Sequence, residues 1–413
     1  MKRVAIVGGG VIGLSAALEC ARRGHHVTLI ERAPTRRGAS LGNAGMIVPS
    51  HFVPLAAPGM IALGLKWMWN PESPFYIQPR LNWDLLTWAA RFWQASTRER
   101  VERAAPLLRD LHLASREAYA RFAEEEDFGL VKRGLLMLCK TAHALEEEAR
   151  TAEKARELGV PAEVLDARGA AALDPDVTMD IAGAVYFEKD CHCDPARYVA
   201  ALEQRLRGMK AELVYDVEVT GWRRDGARLA ALRTTRGEIE ADEFILAGGA
   251  WSPALVADLG LRLPMQAGKG YSVTLPQPIE HPRLCSIFTE ARVAVTPMGA
   301  ALRFGGTMEI TGMNEQINPR RVAGILGAVP NYFPRFRVEH FEGLKPWCGL
   351  RPCSPDGLPY LGRTRAAANL TVATGHAMMG LSLAPITGQL AGQIVDGEQP
   401  RFDLNLLAVD RFA

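Results

Sequence analysis

The stretch GLRPCSPDGLPYLGRT, Gly349 to Thr364, sets Arg351 between a glycine-containing bend and a proline, with a Pro-Asp-Gly turn close behind. A guanidinium is a planar fork that grips a carboxylate through two parallel hydrogen bonds. Read alone, Arg351 is either such a clamp or an ordinary surface arginine beside a turn. Near the N-terminus, Gly8, Gly10 and Gly13 stand in a G-x-G-x-x-G frame. Glu31 follows close to the spacing of about 20 residues that places an acid on ribose hydroxyls. The first glycine makes the tight turn, the second admits pyrophosphate to the backbone, and the third lets a helix pack on the strand. An acid at position 31 argues against a 2′-phosphate, and so against NADP. Cys191 to Pro195, CHCDP, lacks a second ligand pair at zinc spacing, so no metal is expected. No nucleophile–His–Asp set is legible.

These groups need elements to hold them. Val4 to Val7 is a continuous apolar run, as expected of a strand buried on both faces. Val11, Leu14, Leu18 and Ala21 follow at helical spacing, and Val27 to Ile30 reads as a second strand. Two further strand-then-glycine stretches lie far downstream. ADEFILAGGAWSPAL runs into Gly248 and Gly249, and NLTVATGHAMMGLSLAPITGQLAGQIV runs into Gly375 and then a glycine-spaced helix. No second G-x-G-x-x-G occurs in the middle of the chain. Nucleotide contacts spread over three segments favour FAD over a pyridine nucleotide. GLLMLCKT and AGAVYFEKD read as strands, and ARVAVTPMGAALRFGGT as a hairpin with Pro297, Met298 and Gly299 near its turn. Ala142 to Leu158 is a charged helix pattern capped by Gly159, and Glu124 to Asp127 is a solvated helix end.

Composition bounds the partners. The chain has 413 residues, a formal net charge of +2 and 48% apolar residues, which suits two globular domains and gives no support to nucleic-acid binding. Seven scattered cysteines are expected to be reduced thiols in the cytoplasm. No apolar run reaches the ~18 residues of a transmembrane helix. Trp67, Met68 and Trp69 are either core or a peripheral contact at the inner face of the cytoplasmic membrane.

Taken together, VAIVGGGVIGLSAALECARRGHHVTLIE, SLGNAGMIVPSH, GKGYSV, GLRPCSPDGLPYLGRT and TGHAMMGLSLAPITGQL resemble the FAD-dependent D-amino-acid oxidase superfamily. The likeness runs over essentially the whole chain and looks closest to the D-amino-acid dehydrogenase branch. It implies an α/β fold in which a Rossmann-like FAD-binding domain, 1–84, 190–262 and 345–413, is interleaved with a substrate domain. That second domain, 85–189 and 263–344, is α+β with an antiparallel sheet.

The resemblance also implies a site. FAD would contact Gly8, Gly10, Val11, Ile12 and Gly13, then Glu31 and Arg32. Gly42, Asn43, Ala44, Gly45 and Met46 would bring backbone to the flavin ring, and Val219, Gly248 and Trp251 would lie along the adenosine. Gly375, His376, Gly380, Leu381 and Ser382 would place a helix N-terminus at the pyrimidine end. Arg351 falls where these oxidases bind the substrate carboxylate. Tyr271 would close over the carboxylate or merely pack, His51 would take the amine proton or sit on a lid, and His376 would touch substrate or cap backbone. Sarcosine oxidases attach flavin to a Cys at the place of Gly349; Cys348 is out of register, so FAD should be non-covalent. Their flavin-facing Lys aligns with Arg303.

The implied reaction is oxidation of a D-amino acid. Hydride leaves Cα for flavin N5, and the imino acid hydrolyses to a 2-oxo acid and ammonia. The electron acceptor would be a quinone or an electron-transfer chain. Alternatives are a D-proline or D-hydroxyproline dehydrogenase, a glycine or sarcosine-type oxidase, or the flavin subunit of a dehydrogenase with partner subunits.

Overall fold

The computed structural model describes residues 1–34, 38–68, 70, 72–80 and 82–413. Two sheets organise them. The first is six-stranded, in the order Tyr360–Thr364, Ala367–Thr374, Glu243–Leu246, Arg3–Val7, His26–Glu31 and Glu212–Tyr215. All its neighbours pair in parallel except the outermost, Tyr360–Thr364, which is antiparallel. Val4 to Val7 are buried on both faces, which is why the run is apolar without alternation. The helix Val11–Arg22 covers one face and crosses the helix Ala384–Asp396 closely. A side chain at Gly388 would collide with the Ser15 carbonyl, which accounts for the glycine spacing of that second helix.

The second sheet is mixed and mainly antiparallel. Its order is Trp347–Cys353, Gln266–Leu275, Ala301–Ile310, Val293–Met298, Cys285–Phe288, Leu135–Cys139, Gly183–Phe187 and Glu163–Asp166, with Phe75–Ile77 beside Ala301–Ile310. The α/β class and the two kinds of sheet agree with the expectation. The hairpin turns where Met298 pairs with Ala301. The charged helix spans Ala142–Glu157, and Gly159 takes φ +75° after it.

Strands Phe75–Ile77 and Trp347–Cys353 lie in segments 1–84 and 345–413, which were expected in the FAD domain. Both hydrogen-bond into the second sheet. Arg351 therefore stands on an edge strand of the second sheet. CHCDP also has a place. Cys191–His192 pairs with Met46–Ile47, and the Cys193 amide donates to the Gly45 carbonyl at 2.8 Å, so this segment backs the expected flavin loop. Among the described residues no group of His, Cys, Asp and Glu could hold a metal ion, and no helix is long and apolar enough to cross a membrane. Met60–Trp67 is a helix whose Met60 and Trp67 line the central cavity. Met68 is half-buried, and Trp69 lies outside the described residues.

Candidate active site

A cavity of about 940 Å³ runs from the G-x-G-x-x-G turn to Arg351. Its nucleotide end is built on the turn between Arg3–Val7 and Val11–Arg22. Gly8 takes φ +108°, and a Cβ there would lie 2.5 Å from the Ala247 carbonyl oxygen. A Cβ at Gly13 would collide with the Gly8 carbonyl, so the third glycine serves helix packing and does not line the cavity. Gly10 does line it, and a Cβ there would meet nothing nearer than Ser40 Oγ at 3.5 Å. Backbone is thus open where a pyrophosphate must approach. The Glu31 carboxylate accepts from the Gly9 amide at 2.7 Å and the Ala33 amide at 2.9 Å, bracing both sides of the turn. The Arg32 guanidinium lies 4.0 Å over the Trp251 ring, at the same end as Val219 and Gly248. Ser40, which sequence reasoning passed over, accepts from the Val11 amide at 3.0 Å. Its signal was a small polar residue opening a glycine-rich loop.

The loop Gly42 to Met46 forms the middle of the cavity wall. Asn43 Oδ1 accepts from the Gly45 amide at 2.8 Å, and Ser272 Oγ donates to the Gly42 carbonyl at 2.8 Å. Gly45, at φ +76°, is packed against the Cys193 carbonyl and does not line the cavity. Gly42 and Gly349 both leave room for the Trp347 ring. Arg303 is not at the cavity. Its guanidinium donates to the Leu41 and Asn43 carbonyls at 3.1 and 2.8 Å and to Thr274 Oγ1 at 3.0 Å, pinning this loop from behind. No cysteine lines the cavity among the described residues, and Cys348 Sγ points to the Glu315 carbonyl at 2.9 Å. That arrangement fits a non-covalent cofactor.

The glycine-rich segment after Thr374 differs from its expected form. The helix begins only at Ala384, and the residues before it make turns. His376, Gly380 and Leu381 line the cavity; Gly375 and Ser382 do not. Gly375, at φ +79°, packs on Tyr360. Ser382 Oγ accepts from the Val48 amide at 2.9 Å and pairs with His112 Nδ1 at 2.8 Å. His376 Nε2 pairs with Thr387 Oγ1 at 3.0 Å, and burial pushes its imidazole down to about 3. The ring is neutral and bonded to the following helix, and its Nδ1 has no partner among the described residues.

At the far end stands Arg351. Its Nη1 donates to the Thr307 carbonyl at 2.6 Å, and no carboxylate among the described residues pairs with it. Protein walls surround the guanidinium while it still lines the cavity, and desolvation lowers its pKa. A guanidinium nevertheless stays charged in proteins, so it is a cation without a counter-ion among the described residues. Two local features make its seat. A side chain at Gly270 would collide with the guanidinium. Thr307 takes φ +68°, a conformation that β-branched residues rarely adopt, where the pairing between Gln266–Leu275 and Ala301–Ile310 slips. Neither feature has a signature in the sequence.

Tyr271 lines the cavity with its ring, but its hydroxyl donates to Glu309. Glu309 is buried among Arg321 Nε at 3.2 Å, Asn318 Nδ2 at 3.2 Å and Lys269 Nζ at 3.6 Å. The hydroxyl is held in a satisfied polar network, so the tyrosine shapes the wall rather than reaching for a ligand. His51 lines the cavity too. Its Nδ1 is 3.0 Å from Ser50 Oγ, and burial, with Arg292 nearby, pushes the imidazole down to about 4.

A sequence profile described as FAD dependent oxidoreductase matches residues 3–394. The chain belongs to the FAD-dependent oxidoreductase family. Relatives in this family include the D-amino acid dehydrogenase of Cereibacter sphaeroides, 32% identical over 99% of this chain and 95% of that protein. The D-amino acid dehydrogenase of Agrobacterium fabrum is 31% identical over 99% of both. The crystal structure of glycine oxidase from Geobacillus kaustophilus superposes with a TM-score of 0.81 at 27% identity and covers 100% of both chains. L-proline dehydrogenase from P. horikoshii shares the fold, with a TM-score of 0.75 at 19% identity over 99% of this chain and 97% of that one. The family's cofactor suits this cavity. The open backbone at Gly10, the Glu31 brace, the Gly42 to Met46 loop and the volume are those of a dinucleotide flavin site.

Proposed function

We propose that this chain is an FAD-dependent D-amino-acid dehydrogenase, which oxidises the Cα–N bond of its substrate. The imino acid released hydrolyses to a 2-oxo acid and ammonia. The observation that carries this reading is Arg351, a cation without a counter-ion among the described residues, in the same cavity as the dinucleotide cradle. The names of the full-length relatives supply the D configuration.

FAD would be held by Gly8, Gly10, Glu31, the Gly42 to Met46 loop and the turn at Gly380 and Leu381. When bound, it supplies the hydride acceptor. The chain's own contribution is placement. Arg351 takes the carboxylate in a two-pronged pair, which fixes one end of the substrate and the direction of Cα. Tyr271 and Trp347 wall the cavity without presenting a competing charge. The substrate amine must be neutral before oxidation, and the neutral imidazole of His51 faces the same space. Electrons leave to an acceptor such as a quinone.

Anaerobic addition of amino acids to the yellow holoenzyme tests this directly. Bleaching of the flavin band by D-alanine or D-proline, but not by the L-forms, is expected. The two substrates separate primary from cyclic amines, and peroxide formed in air would mark an oxidase. A flavin that no amino acid bleaches would overturn the reading.

A further inference from the structure

Behind His51 lies a hydrogen-bonded chain. His51 Nδ1 is 3.0 Å from Ser50 Oγ, and Ser50 Oγ donates to Asp190 Oδ2 at 2.5 Å. Asp190 Oδ1 accepts from the Ser50 amide at 3.0 Å, so the carboxylate is aimed at this serine by two bonds. Asp190 is fully buried and forms no ion pair among the described residues. Because the Ser50 hydroxyl donates to Asp190, its oxygen is an acceptor toward His51, which fixes the proton on Nδ1. Nε2 is then a bare lone pair, without a partner among the described residues, on a residue that lines the cavity shared with Arg351.

We propose that Ser50 and Asp190 form a proton relay that lets His51 deprotonate the substrate ammonium, with Asp190 as the final acceptor; this rests on the function proposed above. The N–H bond of the ammonium breaks as His51 Nε2–H forms. Nδ1–H breaks as Ser50 Oγ–H forms, and the serine's original proton passes to Asp190 Oδ2. The lone pair left on the amine nitrogen forms the C=N bond as hydride departs Cα. After product release the proton returns through His51 to solvent. His51 touches the substrate in this scheme; Ser50 and Asp190 act through it as positioning residues.

The surroundings favour an end state with a neutral imidazole and a neutral carboxylic acid. Burial, then Arg292, disfavours an imidazolium at His51. Burial raises Asp190 to about 7, against the opposing pull of its Ser50 hydrogen bonds and of Arg116 from the long helix Arg98–Glu125. Cys191, beside it on the chain, is pushed up to about 12 and stays a thiol. A proton arriving at this chain therefore settles on Asp190.

The probe is 2-aminoisobutyric acid, which has no Cα hydrogen, added to holoenzyme at a pH where Asp190 is ionised. The infrared difference spectrum should gain a protonated-carboxyl C=O band that is absent in Asp190→Asn and lost in Ser50→Ala. In turnover, Asp190→Asn should lower kcat/KM by about 10²-fold or more and abolish an acidic limb near pH 7, with flavin content unchanged. Asp190→Glu should restore the limb in part. A wild-type flavin bleached by a D-amino acid, with no carboxyl band and an unchanged acidic limb in Asp190→Asn, would overturn the relay alone. A wild-type flavin bleached by no amino acid would overturn the proposed function and the relay together.

Discussion

The Arg351 guanidinium lies flat on the backbone of Gly270, in the space a side chain at 270 would fill. The two residues sit on neighbouring antiparallel strands, where Gly268 pairs with Arg351 and Gly270 with Gly349. Gly270→Ala should push the fork off its axis without removing the charge. The expected result is a KM for the carboxylate substrate raised about tenfold to a hundredfold, the worth of a charge-assisted pair of about 1.5–3 kcal/mol. Flavin absorbance should be unchanged, and steady-state kinetics with a flavin spectrum on the same sample checks both.

Arg351→Ala removes the anchor itself. KM should rise by about two orders of magnitude or more, consistent with losing a two-pronged pair. Arg351→Lys should recover little of it, because an ammonium cannot present the planar fork. Equal kinetics for wild type and Arg351→Ala would take Arg351 out of the site.

Gly13 separates cofactor binding from catalysis. Its missing side chain is what allows the helix Val11–Arg22 to seat against the Gly8 carbonyl. Gly13→Ala should cost about 1–3 kcal/mol of stability by overpacking and yield protein low in bound FAD. The measurement is the ratio of flavin to protein absorbance after purification, alongside a thermal melt.

Acid should destabilise the fold through its buried histidines. Burial holds His51 and His192 near 4 and His112 and His376 near 3, against about 6.5 in an unfolded chain. Between those values the unfolded chain binds more protons, so stability rises with pH in that window and is lost as pH falls through it. Asp190 runs the other way, since its folded pKa of about 7 exceeds the usual carboxylate value. Glu148 and Asp174, also raised by burial, run with it, whereas Asp127, Asp176, Asp242, Glu290 and Asp396 are lowered and run with the histidines. The melting temperature should therefore fall steadily from about pH 6.5 to about pH 4, and His112→Gln should flatten the slope. A level melting temperature across that range would show that these imidazoles are reached by water.

Much of the nucleotide end was legible in the sequence because its determinants are local. A buried parallel strand reads as an unbroken apolar run, and a phosphate turn needs glycines at fixed offsets. Gly8 makes the turn, Gly10 faces the cavity, and the Glu31 carboxylate accepts from the Gly9 and Ala33 amides. The segment after Thr374 was less legible. Glycines at helical spacing suggested a helix from Gly375, yet residues 376–383 turn instead, and Ser382 faces Val48 and His112 away from the cavity. Packing between distant elements decided that, and packing leaves no periodic trace.

The chemistry at the other end belongs to the tertiary structure. Sequence alone determined that an arginine sits between a glycine bend and a Pro-Asp-Gly turn, which reads as a loop and proves to be the strand Trp347–Cys353; that a glycine and a tyrosine stand together in GKGYSV; and that a histidine follows the glycine-rich loop. Only the folded sheet decided that the glycine makes room for the guanidinium, while the Tyr271 hydroxyl is held by Glu309. It also decided that Asp190, in a segment legible as a strand end, meets Ser50 from across the chain. These are contacts between residues far apart in sequence. They depend on strand register and on which face a side chain takes, and a one-residue slip would reverse every one of them.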